Sequence, residues 1–204
     1  MNHKFFKLPK EKQTAIVNAG YRIFSLTSYR KTPVGEIAKE AKISKSLLFY
    51  YFQNKKDLYL YLWNHAASIT SEELDLEQCY DKGNLFDRME KGMEAKLRLV
   101  ARYPHMSNFV LRAFYEKDGD IKAAIQESYV TLFAKKENQM LASLDAFDYK
   151  EGIDLEMMIQ QMYWAAEGYL WQKVHEDQLD IEEMEQDFRK MLAFWRSVYE
   201  NPKE

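Results

Sequence analysis

The sequence is poor in cysteine and in the residues that interrupt helices. Its 204 residues include 7 Gly, 4 Pro and a single Cys, whereas apolar residues make up 47% of the chain. One cysteine excludes an internal disulfide and fits a reducing cytoplasm. Because Gly and Pro are scarce while Leu, Met, Ala, Glu and Lys are frequent, the composition predicts an all-α fold with a sizeable core.

Several kinds of segment and site are also missing. The sequence has no run of about 18 apolar residues that could span a membrane. The opening stretch MNHKFFKLPKEKQ lacks the apolar segment and cleavage site of a signal peptide. The four histidines have no metal-ligand spacing, Cys79 has no cue for a His partner, and no glycine-rich phosphate loop occurs. We therefore predict a cytoplasmic protein with no membrane contact, no metal, no cofactor and no enzymatic activity.

Charge is divided unevenly along the chain. Residues 1–60 carry 12 Lys and Arg against 4 Asp and Glu, whereas the remaining residues carry 17 against 28. The net charge of −3 conceals this division between a basic head and an acidic body. A basic head of this kind predicts contact with a polyanion.

Between the Gly and Pro positions, apolar residues recur at helical spacing. The pattern predicts about nine helices. They lie at about residues 10–27, 34–41, 45–52, a fourth marked by Leu58, Leu62, Ala66 and Ile69, and then 85–102, 105–116, 121–144, 154–176 and 181–200.

The second and third helices have the layout of a helix-turn-helix. Thr32 can cap the second helix, and Pro33 suits its first turn. Ser44 can cap the third helix, whose buried side is formed by Leu48 and Phe52. Three residues join the two helices, which is the short turn that this motif requires.

The outer side of the third helix carries groups suited to DNA. Lys45 can donate to guanine O6 or N7, and Ser46 can donate or accept. Leu47 or Phe49 can contact a thymine methyl. Tyr hydroxyls and Lys ammonium groups farther along can bind phosphates and fix the register on the duplex. These residue types on a basic head predict entry of this helix into the major groove.

The segment TPVGEIAKEAKISKSLLFYYFQNKKDLY resembles the DNA-binding domain of the TetR family of bacterial transcriptional repressors. The similarity covers about residues 12–60, and the rest of the chain resembles the family in size and helix count. It implies a DNA-binding domain over residues 1–55 and a helical ligand-binding and dimerisation domain over residues 56–204. In the matching positions it implies base contacts at the start of the third helix and phosphate contacts beyond. The predicted DNA-binding residues are Thr32, Pro33, Lys45, Ser46, Leu47, Phe49, Tyr50, Tyr51 and Lys55.

Three positions depart from the family pattern. Lys42 stands where Gly is usual in the turn, which costs on the order of 1 kcal/mol if the residue is left-handed. Phe49 stands where Tyr is common, so a hydroxyl contact is lost. Gly35 replaces a longer side chain, so the second helix is expected to contribute little to base recognition.

A homodimer follows from the DNA interpretation, because two heads about 34–36 Å apart can bind successive major grooves. The helix at 154–176 is apolar on two sides and the last helix carries an apolar stripe, so both are candidates for the interface. The alternative is a single core that uses both helices. The predicted interface consists of Trp164, Gly168, Trp171, Phe188, Leu192, Trp195 and Tyr199.

The middle helices are rich in Met and aromatic residues, which line adaptable ligand cavities and also fill ordinary cores. The resemblance implies a cavity for a small hydrophobic or cationic effector. Polar groups that could face it include Glu94, Asn108 and Glu116. The predicted pocket residues are Trp63, Met93, Leu97, Phe109, Phe114, Tyr129, Phe133, Met162 and Tyr163.

These predictions combine into a ligand-responsive transcriptional regulator. It would bind operator DNA as a homodimer, repress by occupying a promoter, and be released by an effector that favours another head spacing. The alternative is a helical adaptor that binds another protein and not DNA, which accounts for the aromatic residues but not for the basic head.

Overall fold

The computed structural model describes residues 3–79, 83–131 and 141–202. Within these ranges the chain is all-α, as predicted, with two short 3-10 helices at Phe5–Lys7 and Ala146–Asp148. The nine α-helices are α1 (Lys10–Leu26), α2 (Val34–Glu40), α3 (Lys45–Tyr51), α4 (Lys55–Leu76), α5 (Leu85–Arg102), α6 (Met106–Phe114), α7 (Gly119–Tyr129), α8 (Leu155–His175) and α9 (Ile181–Tyr199).

The helix predictions agree closely with these bounds. The one long disagreement concerns α7, which was predicted to extend from 121 to 144 and which is described as an α-helix over Gly119–Tyr129. Residues 132–140 of that prediction lie outside the described ranges.

Side-chain caps fix the starts of several helices. The Ser44 hydroxyl accepts a hydrogen bond from the Leu47 amide at 3.1 Å, so the predicted cap of α3 is confirmed. The predicted Thr32 cap of α2 is wrong. The Thr32 hydroxyl instead donates to the Ser28 carbonyl at 3.0 Å, and α2 begins after Pro33 without a side-chain cap.

The chain divides into two compact units, and the predicted boundary after residue 55 lies inside the first of them. The first unit comprises the described residues of Met1–Thr70 and Arg98–Leu132. Helices α1, α4 and α6 contribute to its aromatic core. Gly20 of α1 faces Leu62 of α4, where a Cβ would lie 2.6 Å from Leu62 Cδ1 and would force that side chain to shift. Packing therefore joins the helix-turn-helix to α4, α6 and α7.

The second unit comprises the described residues of Ser71–Leu97 and Phe133–Glu204. Its main core contains Phe86 of α5, Met158 and Met162 of α8, and Trp195 of α9. The Arg196 guanidinium lies 2.9 Å from Asp87 and 2.9 Å from Glu200, which ties α9 to α5. Helices α8 and α9 contact each other through Tyr169 and Phe188, whose ring centroids lie 5.3 Å apart.

Within the described ranges, the helices lack the combination of length and apolar character needed to cross a membrane. The same residues contain no group of three or more His, Cys, Asp or Glu side chains with metal-binding geometry.

Candidate nucleic-acid interface

The turn between α2 and α3 has the backbone geometry of a helix that ends in a left-handed residue. Lys42 has φ of 55°, and its amide donates to the Lys39 carbonyl at 3.0 Å. The next amide, that of Ile43, donates to the Ala38 carbonyl at 2.9 Å. This pair of bonds is the Schellman arrangement, in which glycine usually occupies the left-handed position. The short turn therefore forms with Lys in a position that favours Gly.

Helix α3 separates a buried side from an outer side, as the sequence predicted. Leu48 is 1% exposed and packs in the core of the first unit. Lys45 and Ser46 are exposed, Leu47 is 36% exposed and Tyr50 is 45% exposed. The structure thus places the four residues predicted to contact bases on the outer side of α3, together with Tyr50, which was predicted to contact a phosphate. We call this surface the α3 face: Lys45, Ser46, Leu47, Phe49 and Tyr50.

The Lys45 ammonium group places a positive charge on the α3 face, next to an aromatic ring. Lys45 Nζ lies 5.8 Å from the centroid of the half-buried Phe49 ring, within the range of a cation–π contact. Phe49 therefore supports the Lys45 side chain as well as presenting its own apolar edge.

Tyr51 does not belong to the α3 face. It is 7% exposed, and its ring centroid lies 5.9 Å from that of Phe5. Leu48, Tyr51 and Phe52 fall at i, i+3 and i+4 and form a single inward stripe. The Tyr51 ring therefore packs in the core, as its helical spacing from Leu48 indicates, and a phosphate contact by its hydroxyl stays a prediction.

Lys55, for which a phosphate contact is predicted, binds backbone carbonyls in the structure. Its Nζ donates to the Thr32 carbonyl at 2.6 Å and to the Arg30 carbonyl at 3.2 Å, and it lies 4.9 Å from the Tyr29 ring centroid. Burial lowers the pKa of the Lys55 ammonium, and Glu116 opposes that shift. The Lys55 ammonium thus anchors the loop between α1 and α2 by bonding to carbonyl groups of the loop backbone. Of the residues at the start of α2, Thr32 is buried and Pro33 is exposed.

A buried carboxylate holds the same loop from the other side. Glu116 accepts hydrogen bonds from the Tyr29 amide at 2.7 Å and from the Lys117 amide at 2.8 Å. Beside it, Arg30 Nε donates to Asp118 at 2.7 Å, and this contact lowers the pKa of Asp118. Glu116, one of the polar groups that could face a ligand cavity, fixes the segment that leads into α2.

The predicted pocket residues in the first unit fill different roles. Phe109 is fully buried, and its ring lies 5.3 Å from Tyr21 and 5.0 Å from Tyr59, so it is a core residue. Trp63 is buried and its Nε1 donates to Ser128 at 3.1 Å. The partly exposed Phe114 contacts Tyr129 edge to face at 5.5 Å between centroids.

The other predicted pocket residues belong to the second unit. Met162 lies in its core, Met93 and Leu97 are half-buried, and Tyr163 is 54% exposed. Phe133 lies outside the described residues. The described members are therefore divided between the two units.

The predicted dimer interface is divided between exposed and buried positions. On α8, Trp164 is 58% exposed, Trp171 is 53% exposed, and Gly168 lies exposed between them. On α9, however, Leu192 and Trp195 are buried in the core of the second unit.

The two remaining members of the predicted interface are half-buried and contact α8. The Phe188 ring lies 5.3 Å from Tyr169, and the Tyr199 hydroxyl donates to Gln161 at 3.2 Å. Sequence reasoning missed the outer apolar residues of α9, which are Phe194, 63% exposed, and Val198, 37% exposed. Their i, i+4 spacing was the available signal.

Comparison with known proteins finds a family match in the amino-terminal part of the chain. Residues 16–62 match the family model described as bacterial regulatory proteins, tetR family. The HTH-type transcriptional regulator YuxN of Bacillus subtilis is 41% identical over 56 residues, which cover 28% of this chain and 19% of that protein. The match thus spans about a fifth of the length of this relative.

Two further similarities extend over most of the chain. The fatty acid metabolism regulator protein of Bacillus subtilis is 18% identical over 172 residues, covering 84% of this chain and 88% of that protein. The crystal structure of the regulator FadR from Bacillus subtilis in complex with stearoyl-CoA superimposes with a TM-score of 0.59 at 17% identity, covering 87% of this chain and 96% of that one. At 17% identity, the structural similarity to FadR establishes only that the two chains share a fold.

Proposed function

We propose that this chain, which belongs to the TetR family of bacterial regulatory proteins, is a cytoplasmic transcriptional repressor that binds double-stranded operator DNA as a homodimer. The observation that carries the proposal is the α3 face. A capped helix of seven residues turns Lys45, Ser46, Leu47 and Tyr50 outward on a head with a large excess of positive charge. These groups match the hydrogen-bonding edges and methyl groups of the major groove.

The loop contacts support the same interpretation, because base recognition requires a fixed helix. Ser44 caps α3, and Lys55 and Glu116 hold the α1–α2 loop through its backbone. These bonds restrict the position of α2 and α3 before DNA arrives. Binding then loses less conformational entropy than it would with a mobile reading helix.

The exposed apolar residues of α8 and α9 support the homodimer. Trp164 and Trp171 of α8 and Phe194 and Val198 of α9 are all large apolar side chains exposed on the second unit. Trp residues of this exposure are typical of the central contacts of protein interfaces. A second copy of this chain would cover them and would place two α3 faces on one duplex, as two half-sites require.

The effector is proposed to be a small hydrophobic molecule. A relative of the same fold was crystallised with stearoyl-CoA, which makes this thioester the first probe. An effector lowers operator affinity only if it binds the DNA-free arrangement more tightly than the DNA-bound arrangement. The ratio of these two effector affinities equals the factor by which the DNA affinity falls. The test compares operator affinity with and without stearoyl-CoA, using a hydrophobic cation as the second arm. Unchanged affinity in both arms would refute this part of the proposal.

DNA binding is tested by fluorescence anisotropy of a labelled duplex as the salt concentration rises. We expect affinity to fall by about 10³-fold or more between about 50 and 200 mM salt, because phosphate contacts release counterions. The alternative, a protein-binding adaptor, predicts weak binding to DNA at every salt concentration. A shallow salt dependence together with capture of a partner protein through the α3 face would replace the repressor with the adaptor.

A further inference from the structure

We propose that the segment from His3 to Lys7, which precedes α1, is a second DNA-contacting element, with Lys4 binding a backbone phosphate beside the α3 face. This inference rests on the proposed DNA binding and assigns it an additional contact. The segment lies outside residues 16–62, the part that the family model covers.

A buried aromatic anchor fixes the segment against the head. Phe5 is fully buried, and its ring lies 5.0 Å from Phe52 and 5.3 Å from Tyr61. Its contact with Tyr51 places the anchor directly against the inward side of α3. The segment is thus packed on the reading helix itself.

Hydrogen bonds from α1 hold the segment at a second point. Gln13 Nε2 donates to the Leu8 carbonyl at 2.7 Å and to the Phe6 carbonyl at 3.2 Å. With Phe5 buried on one side and Gln13 bonded on the other, the backbone of the segment is set before DNA binds. A contact from an ordered segment avoids the entropy cost that a disordered arm would incur.

Lys4 brings its charge to the edge of the α3 face. Its side chain is exposed, and Nζ lies 5.1 Å from the ring centroid of Tyr50, the residue that the sequence assigned to a phosphate. A hydrogen bond with the Tyr50 side chain raises the pKa of Lys4. Lys7, Lys10 and Lys12 follow against a single acidic residue, Glu11. The ammonium group of Lys4 therefore extends the positive surface on which Tyr50 approaches DNA.

The competing explanation gives Lys4 a structural role only, in which its contact with Tyr50 holds the segment to the head. Salt dependence separates the two explanations. A phosphate contact contributes about 0.9 to the slope of log affinity against log salt for each subunit, whereas a purely structural contact contributes nothing to the slope.

The experiment measures that slope for the full chain and for Lys4→Ala on the same duplex. We expect the slope to become shallower by about 1.8 for two subunits, with weaker binding to every sequence alike. Lys4→Arg should restore the slope, because it keeps the charge. Lys122→Ala, which removes an exposed lysine of α7, is the matched control and should leave the slope unchanged.

An unchanged slope for Lys4→Ala would overturn the inference, whether or not the variant is less stable to urea. This failure differs from failure of the proposed function. In the first case the unmodified chain still binds DNA with a steep salt dependence. If instead the proposed function fails, the unmodified chain itself shows no steep salt dependence of DNA binding.

Discussion

Helices α3 and α8 both expose large apolar side chains, but the charges around them differ. On α3, Leu47 and Tyr50 share the outer surface with Lys45, and Lys4 adjoins Tyr50. On α8, Trp164 and Trp171 stand on either side of Gly168, and the rest of the chain beyond residue 60 is acidic in sum. Exposed aromatic residues alone therefore do not identify a partner. On a strongly basic part of the chain they suit a nucleic acid, and on a part that is acidic in sum they suit a second apolar protein surface.

The strongest way to test this comparison is to place charge on α8. We expect Trp171→Glu to raise the dissociation constant of the dimer by at least about 30-fold, because central Trp contacts contribute about 2 kcal/mol or more and a buried carboxylate adds a desolvation cost. Light scattering after size-exclusion chromatography, over a range of concentrations, measures the change. Trp164→Glu should act in the same direction.

The control for these variants is Leu76→Glu on α4, where the side chain is 77% exposed. It should leave the oligomeric state unchanged.

Monomeric Trp171→Glu should also bind a two-half-site duplex much more weakly, since each head is then alone. A dimer that persists in both Trp variants would remove α8 from the interface.

The second test changes the charged partner of the aromatic residues on α3. We expect Lys45→Ala to lose about 1–3 kcal/mol of discrimination at one base position in each half-site, because a lysine contact to guanine is removed. Competition binding with duplexes that differ at that position provides the measurement. Equal losses on all sequences would indicate that Lys45 binds phosphate and does not read a base.

The third test asks whether Lys55 belongs to the structure or to the DNA contact. We expect Lys55→Met to lower the free energy of unfolding by about 1.5 kcal/mol, because two backbone carbonyls lose a charged donor. Urea denaturation measures this loss, and Lys56→Met, at the exposed neighbouring position, should have little effect. Since the ammonium is already bonded, the salt slope of DNA binding should be retained. A shallower slope without loss of stability would restore the predicted phosphate contact.

The smallest expected effect concerns the turn before α3. Lys42 has φ of 55°, which glycine adopts without steric cost. We expect Lys42→Gly to raise the free energy of unfolding by about 1 kcal/mol, whereas Lys42→Ala retains the strained backbone and should not. Urea denaturation of both variants separates the backbone effect from the loss of charge.

Much of the head was predictable because its signals are local. The spacing of apolar residues, the Ser44 cap and the short turn each act over a few residues, and they give α1, α2 and α3 to within about one residue. The spacing of Tyr51 from Leu48 likewise indicated the inward side, on which the structure places its ring. The role of Lys55 was not visible in the sequence, because its partners are the backbone carbonyls of a loop more than twenty residues earlier.

The second unit was less predictable because its burial depends on contacts between distant segments. The apolar stripe of α9 correctly indicated one buried side, yet Leu192 and Trp195 on that stripe pack in the core and do not reach the surface. The outer pair Phe194 and Val198 is too short a pattern to distinguish an interface from ordinary surface residues. Predicted pocket residues likewise fell into two separate units, since Met and aromatic content indicates burial but not a shared cavity.

Selection of bound sequences from a random duplex library tests the central claim most directly. If α3 enters the major groove once from each of two subunits, the selected DNA should contain an inverted repeat whose half-sites are about 10–10.5 base pairs apart, or a multiple of that distance. Selection of a single unrepeated site, or enrichment of no sequence at low salt, would contradict the account.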